Sequence, residues 1–600
     1  MRQHILATAL AAAVTALAYG QNLNPTVEVT NAYESGPSSI AKPAQQMAVP
    51  DSVTRFNLDF DYSVFEKPYR GAYEFTPYYV QLKPAPKPST TEKFFLRAGA
   101  GFTLHPELDL VWSPVQKEKY NLNVYATHKS YFGRYHDFGI VSLDEEVVPI
   151  VRLDEKMKGY LADTKAGVDG TYAWDGGMAS LDLGYKHRMA DNAYHYQKMG
   201  GIEAKGRVRS VPSDEPHFMY DAALQYHFLG SDLSHSYVGS EREYSHIPIE
   251  ADFKESAFSL DGSFGPVLDA DRRIIVDLDL DLARYRGESP GFTGYTGLLS
   301  ATPQYQFNAD RWYLSLGVKL SSIIYSEDYN VWAEEYRHKS GFIFPDVRVD
   351  YHLMDDRLIL QASATGGDRF NTLSGRFFSR PFSYEGDFGH SLERIRAMVG
   401  ARGNIASRFR YDLQAGYARW AHAPVEGMAA HTVLVPGADG YPSFVGPFLL
   451  PNLVEKSFNL FFAELDYGWK SESVTVDGNL AWHHTGVLGD GAFAPAAFTG
   501  FIRPAYHWGG RLTGGLDVSW STGREAQIER FRVDPRINGQ GSETFRVPGW
   551  VDLGLFAEYR FTHRFGFWAK GGNLLNQAVQ RTPLVAEAGM YFTAGIVLNF

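Results

Sequence analysis

The chain has 600 residues, no cysteine, 14% aromatic residues and a formal net charge of -12 at pH 7. The lack of cysteine excludes a disulfide framework, a thiolate metal site and a lipid-modified N-terminal cysteine, and the negative charge argues against a nucleic-acid partner. The mean hydropathy is only -0.27, and no stretch after residue 20 has the roughly 18 to 20 apolar residues that a membrane-spanning helix needs.

Residues 1–20 have the features of an export signal. Arg2 and His4 precede an apolar run from Ile5 to Ala18, and the small residues Ala18 and Gly20 suit a cleavage site before Gln21. We predict that this segment is a cleaved signal peptide and that the mature protein is exported from the cytoplasm.

Residues 21–91 are rich in proline and lack the pattern of the rest of the chain. Within them, one stretch has apolar residues at every second position: Phe56, Leu58, Phe60, Tyr62 and Val64. An isolated strand cannot bury such a face. We therefore predict a periplasmic or lumenal segment that packs on another part of this chain or on another protein, as a gate or docking segment.

From residue 92 to residue 600, strands of about 9 to 14 residues alternate apolar and polar side chains. In Arg273 to Leu282, apolar residues take the even-numbered positions, and Asp277, Asp279 and Asp281 take odd-numbered ones. Asp412 and Glu558 occupy equivalent positions in two other strands. Because neighbouring side chains on a strand point to opposite faces, we predict that these carboxylates line a polar lumen and that the apolar face contacts lipid.

The connections between these strands alternate between short and long. Short turns are predicted at 174–177, 308–310, 354–356, 470–472 and 507–510, and longer polar loops near 129–163, 230–254, 326–340, 367–391, 421–455 and 522–548. Transmembrane barrels have short periplasmic turns and long outer loops, so the pattern predicts an all-β fold, a transmembrane antiparallel β-barrel of about 22 strands. Both ends of the barrel are predicted to lie on the periplasmic side.

The last strand alternates in the same way, with Phe592, Ala594, Ile596, Leu598 and Phe600 on one face. On the other face, Val597 is the one apolar exception among polar or small residues. A terminal aromatic residue on an alternating strand is typical of bacterial outer-membrane barrels. We predict an integral protein of the outer membrane of a Gram-negative bacterium, in contact with its lipid, with Phe600 as the signal that the barrel-assembly machinery reads.

Two short motifs near the C-terminus carry a family resemblance. Gly572-Asn573-Leu574-Leu575-Asn576 resembles the Asn-Leu-Phe-Asp/Asn element of the penultimate strand of TonB-dependent receptors, and Ala588-Gly589-Met590-Tyr591-Phe592 resembles the opening of their last strand. Ala588 and Met590 depart from the second motif. The resemblance covers about residues 92–600 and implies a large receptor-type barrel.

The resemblance also implies a plug domain of about 130 to 150 residues inside the barrel, because barrels of about 22 strands have a plugged lumen. Only residues 21–91 stand between the signal peptide and the first strand, so the plug is predicted to be truncated or absent. Val27-Glu28-Val29-Thr30 resembles a TonB box, the stretch that pairs with the energy-transducing partner TonB.

No arrangement of residues predicts catalysis, a metal or a cofactor. Asp277, Asp279 and Asp281 lie about 6.6 to 7 Å apart on one strand face, too far for one calcium ion held at about 2.3 to 2.6 Å. His483 and His484 point to opposite faces of their strand, His483 to the lumen. The stretch from Ala423 to Leu453 is predicted to be a long loop, either inward-folded or solvated.

These observations predict TonB-dependent receptor-like transport of an unidentified solute through the lumen, gated by the N-terminal segment or by a partner. Two alternatives stay open: a passive porin, and a non-transport structural component of an outer-membrane assembly complex. A periplasmic or surface lipoprotein is a further candidate partner.

Overall fold

A computed structural model describes residues 93–136, 156–191, 195–213, 215–236, 248–250, 253–287, 294–325, 341–379, 390–436, 442–529 and 542–600. Their main sheet has 23 strands, and one of these, β8, pairs only with β7. The other 22 strands each pair with their neighbours in antiparallel fashion and form a closed barrel. The predicted fold class and strand number are confirmed.

The first half of the sheet comprises β1 (Phe94–Phe102), β2 (Glu107–Gln116), β3 (Tyr120–His136), β4 (Lys156–Trp174), β5 (Gly177–Asp191), β6 (His195–Ser210), β7 (His217–Ser236), β8 (Pro248–Glu250), β9 (Phe253–Val267), β10 (Arg272–Gly287), β11 (Gly294–Ala309) and β12 (Trp312–Tyr325). Strand β7 pairs directly with β9 along their shared length. The three-residue β8 pairs only with the end of β7 and is not counted as a strand of the closed barrel.

The second half comprises β13 (Phe342–Met354), β14 (Leu358–Arg369), β15 (Ser391–Ile405), β16 (Phe409–Pro436), β17 (Pro442–Lys470), β18 (Val474–His484), β19 (Phe498–Trp508), β20 (Leu512–Ser521), β23 (Trp550–Arg560), β24 (Phe565–Gly572) and β25 (Tyr591–Asn599). A two-stranded hairpin, β21 (Arg524–Glu529) with β22 (Ser542–Val547), lies between β20 and β23 in the chain. The helix α1 (Leu373–Ser379) lies between β14 and β15.

The barrel closes where β25 pairs with β1. The register runs from Phe95 opposite Asn599 to Phe102 opposite Phe592. Phe600 continues the ladder, because its backbone N–H donates to the carbonyl oxygen of Phe94 and its own carbonyl accepts from the N–H of Phe94, both at 2.8 Å. The terminal aromatic residue therefore lies at the closing seam.

The alternation in the sequence separates two faces of the wall. Large apolar side chains such as Leu183, Leu278, Leu413 and Leu555 are exposed on the outer face. The residues that alternate with them along each strand point inwards, where Asp277 and Asp412, for example, bond to side chains of neighbouring strands. Val597, the exception in the last strand, is buried on the inner face against Phe95, Val111, Tyr125 and Trp568. A purely polar inner face is thus interrupted by a small apolar cluster at the seam.

One end of the barrel carries the short turns. Connections there range from two residues between β4 and β5 to six between β6 and β7, and β1 begins and β25 ends at this same end. Left-handed backbone favours glycine at Gly509 and Gly510, with φ of 56° and 70°, in one of these turns. The connections at the opposite end include the long ones. Among the described residues, no helix is long and apolar enough to cross a membrane.

Several strands are longer than the alternation predicted. Strands β16 and β17 have 28 and 29 residues, and they pair from Phe409 opposite Trp469 up to Pro436 opposite Pro442. The prediction of a loop at 421–455, including Ala423 to Leu453, is therefore wrong: most of this stretch is a β-hairpin. Its prolines and glycines suggested a loop, but the ladder tolerates them with register shifts near Trp420 and His431.

Candidate functional site

The inner face of the barrel is lined by carboxylates that bond to neighbouring strands. Asp277 accepts hydrogen bonds from Ser263 at 2.5 Å and from Gln304. On the same strand, Asp279 accepts from Ser300 at 3.0 Å, and Asp281 accepts from Ser259 at 2.5 Å. The three predicted lumen-lining aspartates thus lie on one face of β10 and belong to a polar ladder that runs from β9 to β11.

The other two predicted lining carboxylates also have partners on the wall. Asp412 is buried and accepts from the side-chain amides of Gln361 at 2.8 Å and Gln414 at 3.2 Å. Glu558 forms an ion pair with Arg560 at 2.8 Å, two residues along the same strand face. None of these contacts brings the five carboxylates to one point, so they line a surface and do not form a compact site.

Helix α1 lies against this inner face and is held there at both ends. At its N-terminal end, Ser374 donates its backbone N–H to Glu255 of β9 at 3.0 Å and its hydroxyl to the same carboxylate. His227 of β7 also contacts that carboxylate, at 2.6 Å. Glu255 is fully buried. Since the first N–H groups of a helix have no partner within the helix, Glu255 satisfies a group that would otherwise be unbonded.

The C-terminal end of α1 is held by Arg188 of β5. Its guanidinium makes a two-point contact with Asp163 of β4, at 2.5 and 2.9 Å. The remaining terminal nitrogen donates to the carbonyl oxygens of Phe377, at 3.4 Å, and of Phe378. Carbonyl groups at the end of a helix lack hydrogen-bond partners within the helix. The Arg188 guanidinium supplies a charged donor to two of them.

An apolar cluster joins α1 to the wall between these two polar contacts. Leu373 and Phe377 are buried among side chains from β6, β7, β9 to β13, β15 and β16, including Met199, Leu229, Tyr285, Leu298 and Phe344. This connection therefore bonds directly to β5, β7 and β9 and belongs to an apolar cluster that extends to β16. The segment occupies part of the barrel interior and joins strands that are not neighbours in the sheet.

The connection between β24 and β25 forms a second structured region on the inner face. Asn573 is buried, donates to the carbonyl oxygens of Gln577 at 2.8 Å and Ala588 at 3.0 Å, and accepts from the N–H of Gln577 at 3.0 Å. Its φ of 44° is left-handed, a conformation that asparagine tolerates better than most residues. The motif that resembles the Asn-Leu-Phe element thus folds the whole connection back onto itself.

Arg581 ties this connection to the wall. Its guanidinium bonds to Asp552 at 2.9 Å and Ser519 at 3.0 Å, pairs with Glu587, and lies 5.0 Å from the ring centre of Trp550. The Trp550 indole N–H in turn donates to the carbonyl of Gln580 at 3.1 Å. The 573–590 connection is therefore packed against β20 and β23.

Ser374, His227 and Glu255 contain the residue types of a hydrolytic triad, but their geometry differs from one. Both Ser374, at 3.2 Å, and Glu255, at 2.6 Å, contact the same histidine nitrogen, Nε2. A triad needs the serine on one ring nitrogen and the carboxylate on the other. The geometry fits a structural contact that holds α1.

No metal site is found in the part of the chain that the structure describes, where no three histidine, aspartate or glutamate side chains could hold an ion. His483 contacts Glu464 at 3.4 Å on the inner face, and His484 stacks on Trp482 with ring centres 6.2 Å apart on the outer face. The predicted gate Phe56 to Val64 and the TonB-box-like Val27 to Thr30 lie outside the described residues.

A titratable histidine lies at the base of the β14–β15 connection. Burial lowers the pKa of His390 to about 4, and Nε2 of its ring contacts the hydroxyl of Thr296 at 3.0 Å. Because the pKa is lower in the folded than in the unfolded state, the stabilisation is complete above about pH 6.5 and is lost as the pH falls towards 4. We expect hydrogen exchange at the start of β15, corrected for intrinsic rates, to accelerate between pH 7 and pH 5.

The substitution His390→Gln keeps a hydrogen-bonding side chain and removes the titration, so the acceleration is expected to disappear in this variant. An equal acceleration in His390→Gln would assign the pH dependence to other groups.

The sequence did not predict α1 or its partners. Leu373, Phe377 and Phe378 are apolar residues inside a stretch predicted to be a polar loop, and this is the one local signal that the loop packs on something. Arg188 and Glu255 gave no signal, since each is one charged residue on an alternating strand.

The fold of the barrel is similar to that of outer-membrane receptors of known structure. No protein-family model and no curated protein matches the chain. Among solved structures, the ferripyoverdine receptor of the outer membrane of Pseudomonas aeruginosa is 11% identical, with a TM-score of 0.58 over 86% of this chain and 72% of that chain. The siderophore receptor PirA from Acinetobacter baumannii is 10% identical, with a TM-score of 0.56 over 85% of this chain and 80% of that chain.

The copper transporter OprC is 13% identical, with a TM-score of 0.55 over 85% of this chain and 80% of that chain. The fold is that of a TonB-dependent receptor-like outer-membrane β-barrel. At these identities the likeness establishes the fold alone. Within this receptor-like barrel, α1 and the 573–590 connection are the structured segments on the inner face from which a function has to be argued.

Proposed function

We propose that this protein is an integral outer-membrane transport protein of the receptor type, which moves a solute through the interior of its barrel. One observation carries the proposal: 22 strands close into a barrel whose inner face is charged and holds segments of the same chain by polar contacts. The polar contacts can be exchanged for contacts to a solute or to water, and opening the path at α1 also exposes the apolar cluster around Leu373 and Phe377.

Barrel width explains why the path has to be gated. A barrel of about 22 strands encloses a lumen that would pass small solutes unless it is filled. We propose that the N-terminal segment, through Phe56, Leu58, Phe60, Tyr62 and Val64, or a partner protein closes the path at the periplasmic side. Asp277, Asp279, Asp281, Asp412 and Glu558 line the path in this proposal.

The proposed partners follow from the same assignment. Lipid contacts the apolar outer face, and the barrel-assembly machinery recognises the last strand and Phe600. TonB engages Val27 to Thr30 in the periplasm, or a periplasmic or surface lipoprotein takes the place of this energy coupling. The cell in which this arrangement exists is Gram-negative.

Liposome swelling with neutral sugars of increasing size tests transport and gating together. We expect slow swelling with the mature protein and fast swelling with a variant that lacks residues 21–90, because removal of the N-terminal segment opens the path. Equal fast swelling in both would identify a passive porin. Slow swelling in both, with loss of a stoichiometric partner on deletion, would favour a structural role in an assembly complex.

Replacement of Val27 to Thr30 by four glycines tests the energy-coupling partner. We expect the mature protein to retain a purified periplasmic domain of TonB in a pull-down, and the variant to lose it, since strand pairing depends on an extended segment. Permutation of the same four residues is the matched control for composition. Equal capture by all three proteins, or by none, would contradict the TonB-box assignment.

A further inference from the structure

The wall that holds the C-terminal end of α1 is rich in positive charge. On the inner face, β4 contributes Asp163 and Lys165, β5 contributes Lys186 and Arg188, and β6 contributes Glu203 and Lys205; we call these six residues the cationic recess. Lys165 lies directly opposite Lys186 in the register. The two facing lysines are an unfavourable pair for neighbouring side chains on a sheet, and Asp182, opposite Lys205, is the next acidic residue along β5.

Besides the contacts that residues of the cationic recess make with one another, Lys186 and Arg188 also contact the segment that contains α1. Glu203 pairs with Lys186 at 3.4 Å and with Lys205 at 3.3 Å, so one carboxylate serves two lysines. Lys186 also lies 4.9 Å from the ring centre of Phe378, and the Arg188 guanidinium lies 5.5 Å from it. The segment therefore covers the cationic recess with an aromatic ring and two carbonyl oxygens.

The atoms of α1 that contact the cationic recess resemble an anion in their electrostatics. Carbonyl oxygens at the C-terminal end of a helix carry partial negative charge, and two of them accept from Arg188. The opposite end, with partial positive charge, is bound to the Glu255 carboxylate. The charged residue that bonds to each end of the helix is thus opposite in sign to the partial charge of that end: Arg188 at the C-terminal end and Glu255 at the N-terminal end.

We propose that the cationic recess is a binding site for a carboxylate or phosphate group of the solute, and that α1 is its built-in occupant, displaced when the anion binds. This proposal rests on the proposed transport function. Arg188 keeps its two-point contact with Asp163 throughout and exchanges the two carbonyl oxygens for oxygens of the anion. Lys186 loses the Phe378 ring and gains a charged partner.

Charge favours the exchange at Arg188, whereas exposure of Leu373 and Phe377 opposes it. Arg188 exchanges carbonyl oxygens, which carry only partial negative charge, for oxygens that carry a formal charge. With Nε and one terminal nitrogen on Asp163, Arg188 offers the anion its other terminal nitrogen, the one that now bonds to α1. Release of α1 also frees Ser374 from Glu255 and His227, so binding at β5 loosens the contact at β9 and opens the interior on that side.

Thiol accessibility of α1 tests the proposal, because the chain has no cysteine of its own. Leu373→Cys places a reporter at a buried position of α1 that makes no polar contact to the wall. The rate of its modification by the neutral reagent methyl methanethiosulfonate, measured on the folded full-length protein in detergent, reports how often α1 leaves the wall. We expect slow modification in this background.

Two further variants in the reporter background test the role of the wall. Arg188→Ala is expected to accelerate modification roughly tenfold or more, since it removes a charged donor from a buried contact. Phe378→Ala, which leaves the wall intact, is expected to accelerate it severalfold. Arg207→Ala is the matched control: Arg207 makes a comparable contact with Asp221, at 2.7 and 2.5 Å, on the neighbouring strands β6 and β7. It is expected to change the rate by less than about twofold.

Potassium pyrophosphate is the probe for the anion site, compared with potassium chloride at equal ionic strength. We expect pyrophosphate to accelerate modification severalfold with an intact wall and to have no effect beyond chloride in Arg188→Ala. Equal rates in both salts with an intact wall would overturn the anion site, and fast modification in every variant would overturn the docking of α1. Neither result depends on transport, so failure here is separable from failure of the swelling assay.

Discussion

Replacement of Gly595 by alanine is expected to prevent the barrel from closing. Gly595 of β25 lies opposite Gly99 of β1 and Trp568 of β24. A Cβ at this position would overlap the carbonyl oxygen of Ala98 and lie 2.6 Å from the Cα of Gly99. Backbone atoms of a paired strand cannot move aside without breaking the ladder, so we expect a cost of at least about 3 kcal/mol, the upper end for overpacking.

Gly514→Ala is the matched control for this substitution. Gly514 is also a glycine within a barrel strand, β20, and the nearest atom to its added Cβ would be the carbonyl oxygen of Phe556 at 3.6 Å, an ordinary contact. Heat-modifiable migration in electrophoresis measures the folded fraction. We expect normal migration for Gly514→Ala and loss of the folded band for Gly595→Ala; a normal folded band in Gly595→Ala would contradict the seam described here.

Asn573→Ala is expected to destabilise the protein by about 2 to 4 kcal/mol, because it removes three buried hydrogen bonds and leaves alanine in a left-handed conformation. Two carbonyl oxygens and one N–H, all in the 573–590 connection, would lose their partner. The midpoint of unfolding in guanidinium chloride, measured in detergent micelles, reports the change in free energy.

Asn576→Ala separates the cost of the left-handed conformation from the cost of the lost hydrogen bonds. Asn576 also has a left-handed φ, of 49°, but its exposed side chain makes one longer bond, from the N–H of Met590 at 3.3 Å. We expect it to cost about 1 kcal/mol, the conformational part alone. If both variants unfold at the same midpoint, the buried hydrogen bonds of Asn573 contribute nothing and its proposed role is wrong.

The barrel itself could be predicted because it follows from local features of the sequence, namely alternation along each strand and the short turns between strands. Alternation along one strand, as in Ile274 to Leu282, is sufficient to assign an apolar and a polar face. Short turns such as Trp174 to Gly177 mark where the chain reverses. Neither feature depends on residues far away in the chain, and together they gave the fold class and the number of strands.

The positions of α1 and of the 573–590 connection could not be predicted, because they depend on contacts between residues that are far apart in the sequence. Arg188 and the carbonyl of Phe378 are 190 positions apart, and nothing near either residue indicates the other. Asn573 belongs to a motif with a family resemblance, but its role in folding back the 573–590 connection depends on Gln577 and Ala588, which the motif does not include. The 421–455 stretch was misassigned for the opposite reason, because its prolines and glycines indicate loops locally while pairing between β16 and β17 overrides them.

We propose that the barrel interior is a solute path closed by segments of the same chain. Single-channel recording in planar bilayers tests it with four proteins: the mature protein, a variant without residues 21–90, a variant with residues 373–379 replaced by a glycine-serine linker, and the combination. We predict silence from the mature protein, steps from the variant without residues 21–90, brief openings from the variant with the linker alone, and the largest steady steps from the combined variant. Large steady steps from the mature protein itself would contradict the claim.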